Sequence, residues 1–237
     1  MRLWYFAIAL GIVVVADGGD VERSINVAVL LPIADDCRPF SAARLRPAMD
    51  LAVTHVSAFL SRRLRVSYAD SKCSSADGIN ESFKYFVRGP PHVFFGPVCD
   101  YAVAPVVRQS YFWNIPVVSV GAMAHEFLLE RLAHYPLLTR TGPANTDAVA
   151  DAVFGTMRVY GWRRLKLLYV REAGSEVNTD FCHLAAGAIT KSASYRRLVT
   201  ADYYKMEPEP AKINFEHVLI NEVGHDFAGK YLTRRNS

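Results

Sequence analysis

VFFGPVCDYAVAPVVRQSYFWNIPVVSVGA, residues Val93 to Ala122, is the stretch whose reading decides the fold. It begins as a short apolar strand, His92 to Gly96, and continues through a Gly-Pro turn into a helix, Tyr101 to Trp113. A second apolar strand, Pro116 to Val120, closes it. Pro105 belongs in the first turns of that helix, because a proline deeper inside removes an internal hydrogen bond. In open α/β sheets ligands gather beyond the carboxyl ends of the strands. Cys99 and Tyr101, just past one such end, are therefore where a site is sought first. Tyr111, Phe112 and Trp113 cannot all face one core, so at least one of them is exposed or at an interface.

The same alternation runs outward in both directions. Further strands are read at Asn26 to Pro32, Arg65 to Ala69, Pro136 to Arg140, Leu165 to Val170 and Arg197 to Tyr204. Helical spacing marks Ser41 to Leu60, with apolar residues at Leu45, Met49, Ala52, Val53, Val56 and Leu60 and Ser41 as its cap. Helices are also read over Ser74 to Val87, Asn145 to Tyr160 on a face of Val149, Val153 and Met157, and Asp180 to Ile189. Such alternation predicts an α/β fold, a parallel sheet with helices on both faces. Right-handed crossovers place all the strand carboxyl ends on one edge. Past Lys205 the pattern fades, and Met206 to Pro210 breaks structure.

The chain opens with Arg2, an apolar stretch from Leu3 to Val15 and the small residues Ala16-Asp17-Gly18, the pattern of a signal peptide over 1–18. The apolar stretch is too short to span a bilayer. A net charge of +4 is modest, and Arg62-Arg63-Arg65, Arg163-Arg164-Lys166 and Arg196-Arg197 lack the interleaved aromatics of a nucleic-acid platform. Four cysteines in a secreted chain allow three pairings. Cys73 with Cys99 is preferred, because both follow strand ends expected to be neighbours; the competing reading of Cys99 is a thiolate activated by a helix amino terminus. Cys37 and Cys182 are left to join each other, to bridge subunits or to stay free. Asn80-Glu81-Ser82 is an N-glycosylation sequon in a polar stretch. Tyr101 is either a packed aromatic or a ligand contact.

Enzymatic patterns fail on spacing. His125-Glu126 is followed by Leu129 where H-E-x-x-H needs its second histidine, and Gly229-Lys230 by Tyr231 where a phosphate loop needs Ser or Thr. There is no G-x-G-x-x-G after the first strand and no G-x-S-x-G elbow. The chain is read as a non-enzyme, without a metal or cofactor.

Several segments resemble the extracellular ligand-binding region of the natriuretic peptide receptor and receptor guanylate cyclase family. They are LLPIADDCRPFSAARLRPA (Leu30 to Ala48), GPVCDYAVAPVVR (Gly96 to Arg108), FWNIPVVSVGA (Phe112 to Ala122), LLTRTGPA (Leu137 to Ala144) and YGWRRLKLLY (Tyr160 to Tyr169). The resemblance implies the bilobed fold of type I periplasmic binding proteins. The first lobe would span 19–143, an incomplete second lobe 144–205, and a divergent or truncated tail 206–237. It implies that a peptide hormone is bound between two receptor subunits and that the signal passes through a membrane segment to an intracellular cyclase. Both of those parts are missing from this sequence, so any membrane link would lie outside it. Cys73 and Cys99 match the family's disulfide, Tyr101 and Tyr169 match or neighbour peptide-contacting aromatics, and Phe112 and Trp113 belong to the lobe used for homodimerisation. His183, a further ligand-contact candidate, and Leu184 stand at positions often aromatic in the family. Val98 replaces a glycine beside the family's chloride site, so chloride is not expected here. Cys182 matches a cysteine whose partner lies downstream. The resemblance places the protein outside the cell or on its surface, as a fragment, a truncated gene product or a short secreted form. The rival readings are a soluble decoy and a small-ligand receptor of the same fold.

Overall fold

A computed structural model describes residues 24–33, 39–60, 62–142, 145–171, 180–196 and 199–224. The expected leader at 1–18, Cys37 and the sequence beyond 224 lie outside the described residues. An apolar run such as Val27 to Leu31 is stable only as a strand covered on both faces. It forms β1 (Ser24–Leu31), and each of its last five residues is buried. β2 (Arg63–Asp70) pairs parallel on one side, from Ser24 opposite Arg63 to Leu31 opposite Asp70, and β3 (Val93–Phe95) on the other. β4 (Val117–Ser119) and β5 (Leu138–Arg140), joined through the short helices α4 (Glu126–Leu129) and α5 (Arg131–His134), complete a parallel sheet of order β2-β1-β3-β4-β5. At the edge, β2 alternates, with Leu64, Val66 and Tyr68 turned toward the core and Arg63, Arg65 and Ser67 toward solvent.

One face of this sheet carries α2 (Ser75–Arg88) and α3 (Asp100–Trp113), where Val103, Val106 and Val107 pack on Ala28, Leu30, Phe94 and Val117. Ser74 caps α2 by accepting from the amide of Asp77. Trp113 stacks on Phe86 with ring centroids 4.5 Å apart and meets Phe83 edge-on at 4.9 Å, so its ring joins α3 to α2 inside the lobe. Phe112 points outward and is 77% exposed, with Tyr111 also exposed. Pro105 is the sixth residue of α3, within its first two turns as expected, and the carbonyl of Tyr101 lacks an amide four residues on to accept from.

The opposite face carries α1 (Ala42–Phe59), which meets β1 through Ala42, Leu45 and Met49. The apolar face expected to run on to Leu60 stops there. Val56 and Leu60 are exposed, because the last turns meet no facing element among the described residues. Ser41 stands at the N-cap, yet its hydroxyl is buried without a partner instead of bonding the first turn.

A second parallel pair, β6 (Arg164–Val170) and β7 (Thr200–Met206), lies between two layers. α6 (Thr146–Val159) and α7 (Phe181–Arg196) cover one face with Ala150, Phe154, Met157, Ile189 and Ala193. Of the expected face of α6, Met157 is buried and Val153 packs against the same cluster, while Val149 is exposed and Ala150 and Phe154 are buried beside them. On the other face, where the sequence pattern fades, the chain is still organised. A 3-10 turn (Pro210–Lys212), α8 (Phe215–His217) and a π-helical turn (Val218–Val223) follow β7. Val218 is buried there, and Lys166 pairs with Asp202 and Glu222.

Two constraints shape the carboxyl edge of the first sheet. Cys73, just after β2, is disulfide-bonded to Cys99, just before α3, with Cα atoms 5.4 Å apart. A Cβ built on Gly121 would lie 1.7 Å from the carbonyl oxygen of Val98. Reducing the disulfide, or replacing both cysteines with serine, is expected to lower unfolding stability by about 3 kcal/mol, read by urea denaturation with and without reductant. Coincident curves would show that the bridge adds nothing. Gly121→Ala is expected to cost more than about 3 kcal/mol or to prevent folding. Parental stability in that variant would mean the strand-end loops are free to separate.

Candidate functional site

The carboxyl edge is built by the loops after β1, β2, β3 and β4. Asp70 ends β2 and its Oδ1 accepts from the amides of Ile33 and Lys72, each at 2.9 Å, tying the first two loops together. Lys72 and Cys73 both take left-handed backbone, and the Lys72 ammonium, which donates to Asp77 at 3.1 Å, steadies that turn. The disulfide then fastens it to the start of α3, where Cys73, Cys99 and Ala102 form a small buried cluster. Tyr101, the second residue of α3, is 40% exposed on this rim.

Asp100 beside it is buried, and its Oδ1 accepts from the Met123 amide at 2.6 Å. The Ser119 hydroxyl donates to the Pro97 carbonyl at 2.7 Å and accepts from the Gly121 amide. The Met123 carbonyl in turn accepts from both the amide and the hydroxyl of Thr146, the first residue of α6. His125 pairs with Asp147, and Lys191 of α7 reaches Glu126 at 3.4 Å. An unbroken line of hydrogen bonds thus runs from the disulfide loop to the first turn of the second lobe. Sequence reasoning passed over Asp100 and Thr146. Their only signal was a polar residue at the first position of each helix.

In the second lobe the structure brings Tyr169 and His183 together. The Tyr169 hydroxyl and His183 Nδ1 are 2.7 Å apart, and the Tyr203 ring lies 5.9 Å from that of Tyr169. Tyr203 was not anticipated, although its register opposite Leu167 makes it the diagonal neighbour of Tyr169. Tyr169 is almost fully buried, and burial is the main cause raising its phenol above the ordinary value. Arg171 grips Asp180 with two hydrogen bonds, of 3.0 and 2.8 Å. The bond from Arg171 holds the Asp180 carboxyl below the usual carboxylate range. Cys182, beside this group, is a partly buried free thiol. Tyr101 makes no ring contact with this cluster among the described residues.

Asn80 is exposed on α2, with Ser82 of the same sequon buried. Val98 is buried in the apolar cluster around β1. No group of three or more His, Cys, Asp or Glu among the described residues could hold a metal ion. No helix among them is long and apolar enough to cross a membrane.

The model of the receptor family ligand binding region matches residues 44–206. Atrial natriuretic peptide receptor 3 of Rattus norvegicus is 35% identical over 161 residues, covering 62% of this chain and 29% of the relative. Atrial natriuretic peptide receptor 2 of Rattus norvegicus is 32% identical over 169 residues, covering 68% of this chain and 16% of the relative. The chain therefore spans less than a third of the length of these relatives. An ABC transporter substrate-binding protein from Sphaerobacter thermophilus superposes with a TM-score of 0.59 at 17% identity, over 85% of this chain and 52% of the other. That likeness shows the periplasmic-binding-protein-like fold.

A carboxyl depressed on folding stabilises the protein above the ordinary carboxylate range. The contribution disappears as the pH falls through that range toward the depressed value. Asp180→Asn is therefore expected to flatten the acid limb of the stability profile below roughly pH 4, with a neutral-pH cost under about 1 kcal/mol. Urea midpoints measured across the acid range check this. Parallel profiles for parent and variant would remove the Arg171–Asp180 pair as a contributor.

Proposed function

This chain belongs to the family of receptor ligand-binding regions, and from that premise we propose that it is an extracellular module that binds a peptide hormone without catalysing a reaction. The observation that carries this reading is the span of the family match. It covers β2 to β7 and takes in Tyr101, Tyr169 and His183 together. The names of the relatives, natriuretic peptide receptors, supply the ligand class. The binding surface joins the rim of the first lobe, 19–143, to the aromatic group of the second, 144–205.

Two kinds of anchor divide the work. Tyr101 offers a rigid, partly exposed ring, and such rings bury much area at small entropic cost. Tyr169 is held through its hydroxyl by His183, so it serves as the wall against which a ligand side chain rests. The leader is removed on secretion, Asn80 carries a glycan, and two copies pair through the first lobe. Phe112 leads that contact, together with Phe83, Val87 and Tyr111, while Trp113 supports it from behind by stacking on Phe86.

Tyr101→Ala is expected to weaken binding of a disulfide-cyclised natriuretic-type peptide by about tenfold in a calorimetric titration, with no change in melting temperature. Equal affinity in parent and variant would remove Tyr101 from the site. A thermal shift with free amino acids and none with the peptide would transfer the protein to the small-ligand receptors of this fold.

A further inference from the structure

The aromatic group of the second lobe holds a proton acceptor at its centre. Tyr169, at the carboxyl end of β6, directs its hydroxyl at Nδ1 of His183, on the first turn of α7, at 2.7 Å. The two rings lie 5.8 Å apart by centroid and are inclined by 31°, and the Tyr203 ring, 46% exposed, flanks Tyr169 at 5.9 Å. Burial holds the Tyr169 phenol above its ordinary range, so at neutral pH the phenol keeps its proton and donates, and an uncharged imidazole accepts at Nδ1. Among the described residues no other hydrogen bond reaches that hydroxyl.

The groups that face the imidazole decide what an added proton does. β6 and its end bring Tyr169 and Arg171, β7 brings Tyr203 and Lys205, and the start of α7 brings Asp180 and Cys182. α6, which packs along α7, carries Asp147, paired with His125, and Asp151. Asp180 attracts positive charge at His183, but each of its oxygens already accepts from Arg171. Arg171 and Lys205 oppose such charge. An imidazolium has no lone pair on Nδ1 and can only donate there. The bond to Tyr169 then reverses, and the buried phenol hydroxyl must find another acceptor. A ligand lying over this group also strips water from the half-buried His183 ring, which costs more when the ring is charged.

From this geometry we infer that His183 makes binding at this site pH-dependent, its neutral ring fixing Tyr169 as the wall against which the ligand rests and its protonation loosening that grip. This regulation presupposes the peptide-binding role described above, since it acts on the same site. By linkage, a covered imidazole takes up a proton less readily than an open one, so affinity falls as the pH drops through the range in which imidazole changes charge. Ligand is therefore held at neutral pH and released in mildly acidic surroundings.

The experiment is calorimetric titration of the full chain with the disulfide-cyclised natriuretic-type peptide at about pH 7.5 and about pH 5.5, with circular dichroism at both values. The parent is expected to bind roughly tenfold more weakly at the acid value, its fold intact. His183→Asn keeps an acceptor near the Nδ1 position and has no ring to protonate. It is expected to bind less tightly than the parent at neutral pH and with equal affinity at both values. Proton uptake gives a reciprocal readout. In an NMR titration of the parent's imidazoles, the peptide should move one of them to lower pH, a change absent from His183→Asn. Equal parental affinity at the two values would overturn the inference and leave the peptide-binding reading standing. So would an acid loss that His183→Asn retains, which would place the titrating group elsewhere. Loss of ellipticity in the parent at the acid value would assign the weakening to unfolding and overturn it as well. No binding at either value would remove both readings together.

Discussion

Backbone pressed against backbone at the carboxyl ends of β3, β4 and β5 is the constraint on which the rest of this architecture rests. Gly96, Gly121 and Gly142 each follow one of these strands. A Cβ on any of them would fall within 2.2 Å of a carbonyl oxygen belonging to the preceding strand or its loop, that of Leu30, Val98 or Val120. With side chains excluded there, the loops nest as successive layers, and the rim is a continuous main-chain surface. The Cys73–Cys99 bridge adds the β2 loop to the same stack. Tyr101 is carried on this rim by the second position of α3.

That rim is also mechanically joined to the second lobe. Asp100 sits between Cys99 and Tyr101 and holds the Met123 amide, while the Met123 carbonyl holds Thr146 at the head of α6. Ala122 between them takes left-handed backbone, and Arg140 donates to its carbonyl, so the connecting segment is fixed from several sides. The start of α3 is thus linked by hydrogen bonds through Met123 to the amino end of α6. Buried polar bonds of this kind are modest in net energy, yet costly to leave unmade. They favour one arrangement of the two lobes more than they add to stability.

Tyr101 and the aromatic group around Tyr169 differ in kind. Tyr101 is tethered only through the helix that carries it, whereas Tyr169 is enclosed by Tyr203 and bonded to His183, with Arg171 and Asp180 clasped nearby.

Local sequence patterns determined much of this molecule. The alternation of apolar runs with 3.6-residue periodicity located the strands among the described residues, and most helices, within a few residues, although α7 runs on to Arg196, well past the expected end at Ile189. The positions of Cys73 and Cys99 after strand ends pointed to the bridge that the fold closes, although β2 and β3 are not the neighbours the sequence pattern suggests, because β1 lies between them. These features are legible because burial on both faces and helical spacing leave a one-dimensional record. Tertiary packing decided the rest. Trp113 turns inward because Phe83 and Phe86 on a neighbouring helix offer their faces, which nothing in Tyr111-Phe112-Trp113 specifies. On α6, Val149 stays exposed while Ala150 and Phe154 are buried, because α7 and β6 approach from that side. The residues after Met206, whose composition promised little, find a place because Lys166 and the open face of β6 and β7 await them. In each case the deciding partner lies far away in the chain, and only the folded arrangement brings it within reach.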